Sequence, residues 1–309
     1  MTDIIEELQS KFALSLPARN VDLTPQSSTY DNGKQQQRAT TPQSANNRKN
    51  STISKPLAPC TGYPSAFLNN CGTMSIFLEP NVVVDISVNR VIRVTCFGKF
   101  SATIGNDYNV SLSHELASVY QTDNCIYAAF RVGDVEKQVM IGESGIVLSM
   151  DNLEESYVLS KTLLKGNGLV PVQRRFFPPM KFDFTLKQFY TAANYGERYL
   201  PVCHKIVTRA HFTNIGNKKI VVINGIHIRV TQNGSVEITS QNRLMRFAPL
   251  TGDVQVKTPI IDVAVDASGK GSVIKGKKRV HASTSGLVVA DGERVISIDA
   301  AGNVINSAT

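Results

Sequence analysis

The sequence predicts a mainly β protein: two antiparallel β domains, the second ending in a meander of β-hairpins, preceded by a disordered arm that carries a short helix at its tip. Three observations predict it. From about residue 64 the chain changes from a Gln-, Ser-, Thr-, Asn- and Pro-rich texture to short alternating runs of β-branched and aromatic residues. Asn224-Gly225 and Asn233-Gly234 are hairpin signals, because Asn and Gly tolerate the positive φ angles of a type I′ turn. A Gly-x-Val pattern recurs at Gly234, Gly252, Gly271, Gly286 and Gly302, in steps of 18, 19, 15 and 16 residues.

Taken in order, residues 2–14 read as an amphipathic helix. Asp3 is placed to cap it with Glu6 three residues on, and Ile4, Ile5, Leu8 and Phe12 recur at helical spacing. A helix of about 12 residues is marginal alone in water, so this stripe needs a surface. It is read as a helix-in-groove peptide that binds a partner, with docking onto its own domain as the alternative. Residues 15–63 have almost nothing large to bury and form a disordered linker. Thr24 and Thr41, each before a proline, and Ser51, three residues after Arg48, are its candidate phosphorylation sites.

Residues 64–160 form the acidic antiparallel β domain. Runs such as MSIFLE, VVVDISV and CIYAAFRVG are separated by turn-forming residues, and alternation puts Ile92, Val94 and Cys96 on one face. Gly98 marks a bulge or bend, and SLSHELASVYQ, residues 111–121, is the one helical competitor. Residues 161–309 form the basic β domain. Its first part, 161–212, is a less regular link. From 212 onward each Gly-x-Val opens a strand, and two strands of about seven residues with their turns take about one recurrence step. In rhythm this meander resembles the strand repeats of centriolar and axonemal scaffold proteins, without sharing a motif with them.

The formal net charge of +8 conceals a division: residues 1–63 balance at +2, residues 64–160 at −6 and residues 161–309 at +12. Eight of the 22 aromatics fall within residues 176–199, among cations. The candidate basic and aromatic surface is Arg174, Arg175, Phe176, Phe177, Lys181, Lys187, Tyr190, Arg198, Lys205 and Arg209, with a second basic turn at Lys275, Lys277, Lys278 and Arg279. Rings inside a charged rim suit a protein interface with an acidic partner. They also suit single-stranded nucleic acid, which is the alternative. Their bland reading is core rings beneath a solvated face.

Catalytic signatures are missing: there is no nucleophile elbow, phosphate-binding loop, zinc-protease helix or dinucleotide fingerprint. Cys203, His204 and His211 are the best metal-like grouping, but on extended chain neighbouring side chains point to opposite faces, so no metal or other cofactor is expected. The carboxylate pairs Glu154-Glu155 and Asp291 with Glu293 sit beside turns, as solvated groups do. Five cysteines without paired spacing read as reduced thiols, and with no leader or membrane span in the sequence the expected place is the cytosol or nucleus. The expected function is therefore a non-enzymatic adaptor or scaffold subunit that binds proteins. Nucleic-acid binding is the first alternative, and a self-associating structural subunit of a virus or filament is the second.

Overall fold

The computed structural model describes residues 64–79, 81–122, 124–151, 153, 155–159, 169–172 and 183–308. The expected helix over 2–14, the linker over 15–63 and its phosphorylation candidates lie outside the described residues. The first sheet consists of β1 (Ser65–Asn69), β2 (Thr73–Glu79), β3 (Val82–Ile86), β4 (Ile92–Cys96), β5 (Phe100–Ile104), β6 (Val110–His114), β7 (Ala117–Gln121), β8 (Ile126–Val132), β9 (Val135–Ile141), β10 (Ile146–Met150), β11 (Ser156–Leu159) and β12 (Leu169–Val172). Helices α1 (Phe184–Ala192) and α2 (Leu200–Thr208) follow. The second sheet consists of β13 (His211–Ile215), β14 (Lys218–Ile223), β15 (Ile226–Val230), β16 (Val236–Ser240), β17 (Arg243–Phe247), β18 (Val254–Lys257), β19 (Ile261–Val265), β20 (Gly271–Lys275), β21 (Lys278–Ser283), β22 (Gly286–Ala290), β23 (Val295–Asp299) and β24 (Val304–Ala308).

Each sheet is a 12-stranded antiparallel meander in which every strand pairs with its neighbours in sequence. Twelve strands at about 4.8 Å spacing make each sheet roughly 55 Å wide, while its strands of about five residues are only about 17 Å long. The glycine recurrence predicted for the second sheet is its hairpin period. Gly234, Gly252 and Gly302 occupy turns at positive φ, and Gly271 and Gly286 open β20 and β22. Asn224 and Gly225 both take positive φ, as a type I′ turn requires, whereas at Asn233-Gly234 only the glycine does, within a loop closed by Thr231 N–H donating to Ser235 O at 2.9 Å.

The two sheets lie face to face in the same strand order. Asn224, between β14 and β15, donates to Val88 O at 3.0 Å between β3 and β4, and Lys275 at the end of β20 donates to Asn124 O at 2.9 Å between β7 and β8. Between these ties, the Phe100 and Phe247 rings meet edge to face at 5.4 Å. Inward residues of both sheets form one hydrophobic cluster, from Met74 and Ile92 to Val263 and Ile298. Burial of such side chains, each contributing about 1.5–3 kcal/mol, is what holds the sheets together.

The outward faces differ. In β15, Ile226, Ile228 and Val230 are buried while His227 and Arg229 are exposed, so the second sheet is wet outside. In β5 all five residues are buried. Helix α1 explains this, since it packs across β4, β5 and β6. Asp183 caps α1 by accepting from Thr185 N–H at 2.8 Å, and Ser101 donates to Asp183 at 2.9 Å. Arg93 lies between Asp85 and Asp183, 3.4 and 3.7 Å from their carboxylate oxygens, so a polar lattice seats the helix.

Two expectations are corrected. Residues 111–121 form most of the β6–β7 hairpin, because Leu112, His114, Ala117 and Val119 are buried at a strand period and neighbouring strands pair on both sides. Within 161–212, the described residues hold β12, α1 and α2 instead of an irregular link, and β12 carries the first sheet past residue 160 to Val172.

Candidate protein-binding edge

Helix α2 delivers the chain to the edge of the second sheet. Pro201 stands in its first turn, where a missing N–H costs nothing, and Cys203 is fully buried with its thiol donating to Gly72 O at 3.2 Å. That contact pins α2 to the turn between β1 and β2. Lys205 and Arg209 are exposed, and two residues beyond Arg209 the chain enters β13.

All five residues of β13 are exposed. One side of the strand pairs with β14 through a two-residue turn in which Gly216 takes φ +57°, and among the described residues no strand lies on the other side. Counting the antiparallel alternation from the closing pair Ile215 and Lys218, Thr213 and His211 bond to β14, whereas Phe212 and Asn214 direct their N–H and C=O groups outward. Phe212 is 44% exposed and Ile215 64%. The strand carries no Pro and no Lys, Arg, Asp or Glu, whereas β12, an edge of the first sheet, holds Pro171. Around β13 the charge has one sign: residues 198–219 contain five Lys and Arg and no Asp or Glu.

Of the sequence-predicted surface, Lys205 is exposed on α2 and Arg209 just beyond it, in the segment that leads into β13. Lys187 and Tyr190 are exposed on α1, where the Tyr190 ring meets Tyr195 edge to face at 5.0 Å. Burial, and then the Cys71 thiol beside it, raise the Tyr190 pKa. The Arg198 guanidinium stacks 4.8 Å above the Tyr199 ring. Arg174, Arg175, Phe176, Phe177 and Lys181 lie outside the described residues. The basic turn is tied to the first sheet: Lys275 donates to Asn124 O, and Lys278 donates to Gly142 O and, at 2.6 Å, to Glu143 O. Lys277 lies alongside Gly292, and Arg279 is exposed on the outer face. The residues missed in the sequence are Phe212, Ile215, Lys218 and Lys219. Their signal is a short alternating run before Gly-Asn, but nothing in a sequence marks a strand as an edge.

A second feature is an open groove of about 860 Å³ on the outer face of the second sheet. Along it Glu237 holds Arg229 and Arg246 at 3.2 and 2.8 Å, with Gln255, Ser272 and His281 continuing across the strands. Its charges are largely satisfied within the sheet.

The titratable groups inside the body are structural. Burial pushes the Cys96 and Cys203 thiols up. Burial lowers the Lys137 amine, which lies inside and donates to Val132 O at 3.1 Å. His114 accepts from Leu116 N–H on Nδ1 at 3.0 Å and faces Gly252 O through Nε2 at 3.2 Å, and burial holds its pKa below the usual value. Cys203 and His204 lie on a helix, not on extended chain, with Cys203 buried and His204 exposed. Among the described residues, no three of His, Cys, Asp and Glu are grouped to hold a metal ion. Among them too, no helix is long and apolar enough to cross a membrane.

No curated protein matches this chain. Among solved structures, it is similar to the wild-type TCP10 domain of Danio rerio CPAP, at 11% identity over 79% of this chain and 99% of that one, with a TM-score of 0.20. The same domain in complex with a peptide of Danio rerio STIL matches at 10% identity over 77% of this chain and 99% of that one, with a TM-score of 0.16. Likenesses at these TM-scores carry no argument about shape or function. A family model described as a domain of unknown function, DUF8796, matches residues 64–308, and the chain belongs to that family.

Proposed function

We propose that this protein is a non-enzymatic adaptor or scaffold that captures an extended, acid-flanked segment of a partner protein as an added strand on β13. The observation that carries the proposal is the state of that edge: outward backbone groups at Phe212 and Asn214, exposed apolar side chains, no protecting proline, and cations alone on either side. Main-chain hydrogen bonds would supply affinity, and Lys205, Arg209 and Lys218 would select acidic flanks. The free thiols of Cys71, Cys96 and Cys203 support a place in the cytosol or nucleus, where thiols stay reduced. The segment over 2–14, expected from its sequence to be helical, is the second, separate contact in this reading.

The test is affinity capture with the full chain and with Asn214→Pro. Proline at 214 removes an outward N–H and leaves the β13–β14 ladder intact, so the fold should survive. Loss of the captured partners with an unchanged melting transition supports the proposal, and equal recovery overturns it. A salt titration separates the nucleic-acid alternative, in which affinity for DNA or RNA falls steeply with salt through counterion release.

A further inference from the structure

We infer that β24 of a second copy of this chain fits the β13 edge, so that the protein assembles head to tail through its second sheet. The inference rests on the reading of β13 as an accepting edge and names one occupant for it.

Strand β24 is the opposite edge of the same sheet, and among the described residues it pairs with β23 alone. It too lacks Pro and charged residues, and its Val304 and Ile305 are 44% and 66% exposed. Edges with neither device are the ones that pair with other chains.

Geometry makes the two ends compatible. With 12 alternating strands, β13 and β24 run in opposite directions. A copy that continues the sheet by one more strand step, keeping its twist, therefore presents β13 antiparallel to β24, which is the pairing used throughout the meander. In that arrangement the inward faces stay on one side: Phe212, opposite Val221, and Val304, opposite Ile298, both lie at the margin of the buried face. Joining the copies extends the core across the junction.

Charge favours unlike edges over like ones. Residues 198–219 carry five cations and no anion, while residues 280–309 carry one cation and three anions, of which Glu293 is exposed and Asp299 half-buried. Two β13 edges would bring cations together and two β24 edges would bring anions together. A contact between different patches does not close on itself, so the product is open-ended.

Sedimentation of the full chain over a wide concentration range tests this, alone and mixed with Asn214→Pro. The expected result is growth beyond a dimer with rising concentration, weakened by salt. Asn214→Pro alone should stay monomeric, yet it keeps β24, so a minor fraction of it should cap wild-type oligomers and shorten them. A wild-type chain that stays monomeric throughout, growth that stops at a dimer, or Asn214→Pro that assembles like wild type would each overturn the inference. Partner capture that Asn214→Pro abolishes, with a wild-type chain that remains monomeric, would sink self-assembly alone and leave the proposed function standing.

Discussion

Arg243 Nη1 donates to the carbonyl oxygen of Arg90 at 2.7 Å, so a guanidinium on β17 of the second sheet is held by a turn of the first. The same nitrogen donates to Gly105 O at 3.1 Å, and Nη2 donates to Ser240 Oγ at 2.9 Å. Arg243 is almost wholly buried.

Replacing it strands buried carbonyls from two turns of the first sheet. Arg243→Met should lower unfolding free energy by about 2–4 kcal/mol, because several buried acceptors lose a charged donor at once. Arg243→Lys should recover a part, since an ammonium lacks the planar fork that reaches both turns. Denaturant unfolding checks both, and a loss under about 0.5 kcal/mol in Arg243→Met would contradict the clamp.

His114 makes the interface between the sheets sensitive to acid. Its Nδ1 accepts from Leu116 N–H, so the ring is neutral and Nε2–H donates to Gly252 O. Burial dominates its lowered pKa, with Lys99 pushing the same way and the Gly252 contact, Glu115 and Asp253 opposing. The folded state thus binds its proton less readily than the unfolded state, so stability from this residue is complete above pH 6.5, its ordinary value, and is lost as pH falls toward the folded pKa. The slope cannot exceed about 1.4 kcal/mol per pH unit for one site. Denaturation midpoints at several pH values should show an acid-side loss in wild type that His114→Gln lacks. Equal slopes would contradict the assignment.

Gly271 tests the stacking of the sheets. A Cβ there would come 2.1 Å from Phe130 Cε1 on the facing sheet, and Phe130 is fully buried, so the ring has nowhere to go. Gly271→Ala should cost about 1–3 kcal/mol through overpacking. Phe130→Leu should relieve part of that cost, giving a coupling above about 0.5 kcal/mol in a double-mutant cycle. Strict additivity would mean that the two residues do not meet.

Much of this fold was legible because a meander is written locally. The Gly234 to Gly302 recurrence, the Asn224-Gly225 turn and the alternation of Ile92, Val94 and Cys96 are each decided within a few residues. What stayed hidden depends on contacts far apart in the chain. Residues 111–121 satisfy helical and strand patterns alike until β5 and β8 pair beside them. Lys275 and Lys278 read as a solvated basic turn because the carbonyls of Asn124 and Gly142 lie more than a hundred residues away. The edge at β13 was illegible for the same reason, since exposure of Phe212 and Asn214 is set by which strands fail to arrive.

The claim that β13 accepts a strand is tested most directly by amide hydrogen exchange on the chain with and without its captured partner. A strand added to β13 should slow exchange at the outward amides of Phe212 and Asn214, with His211, Thr213 and Ile215 little changed because β14 already protects them. Unchanged exchange at Phe212 and Asn214 with the partner bound would contradict it.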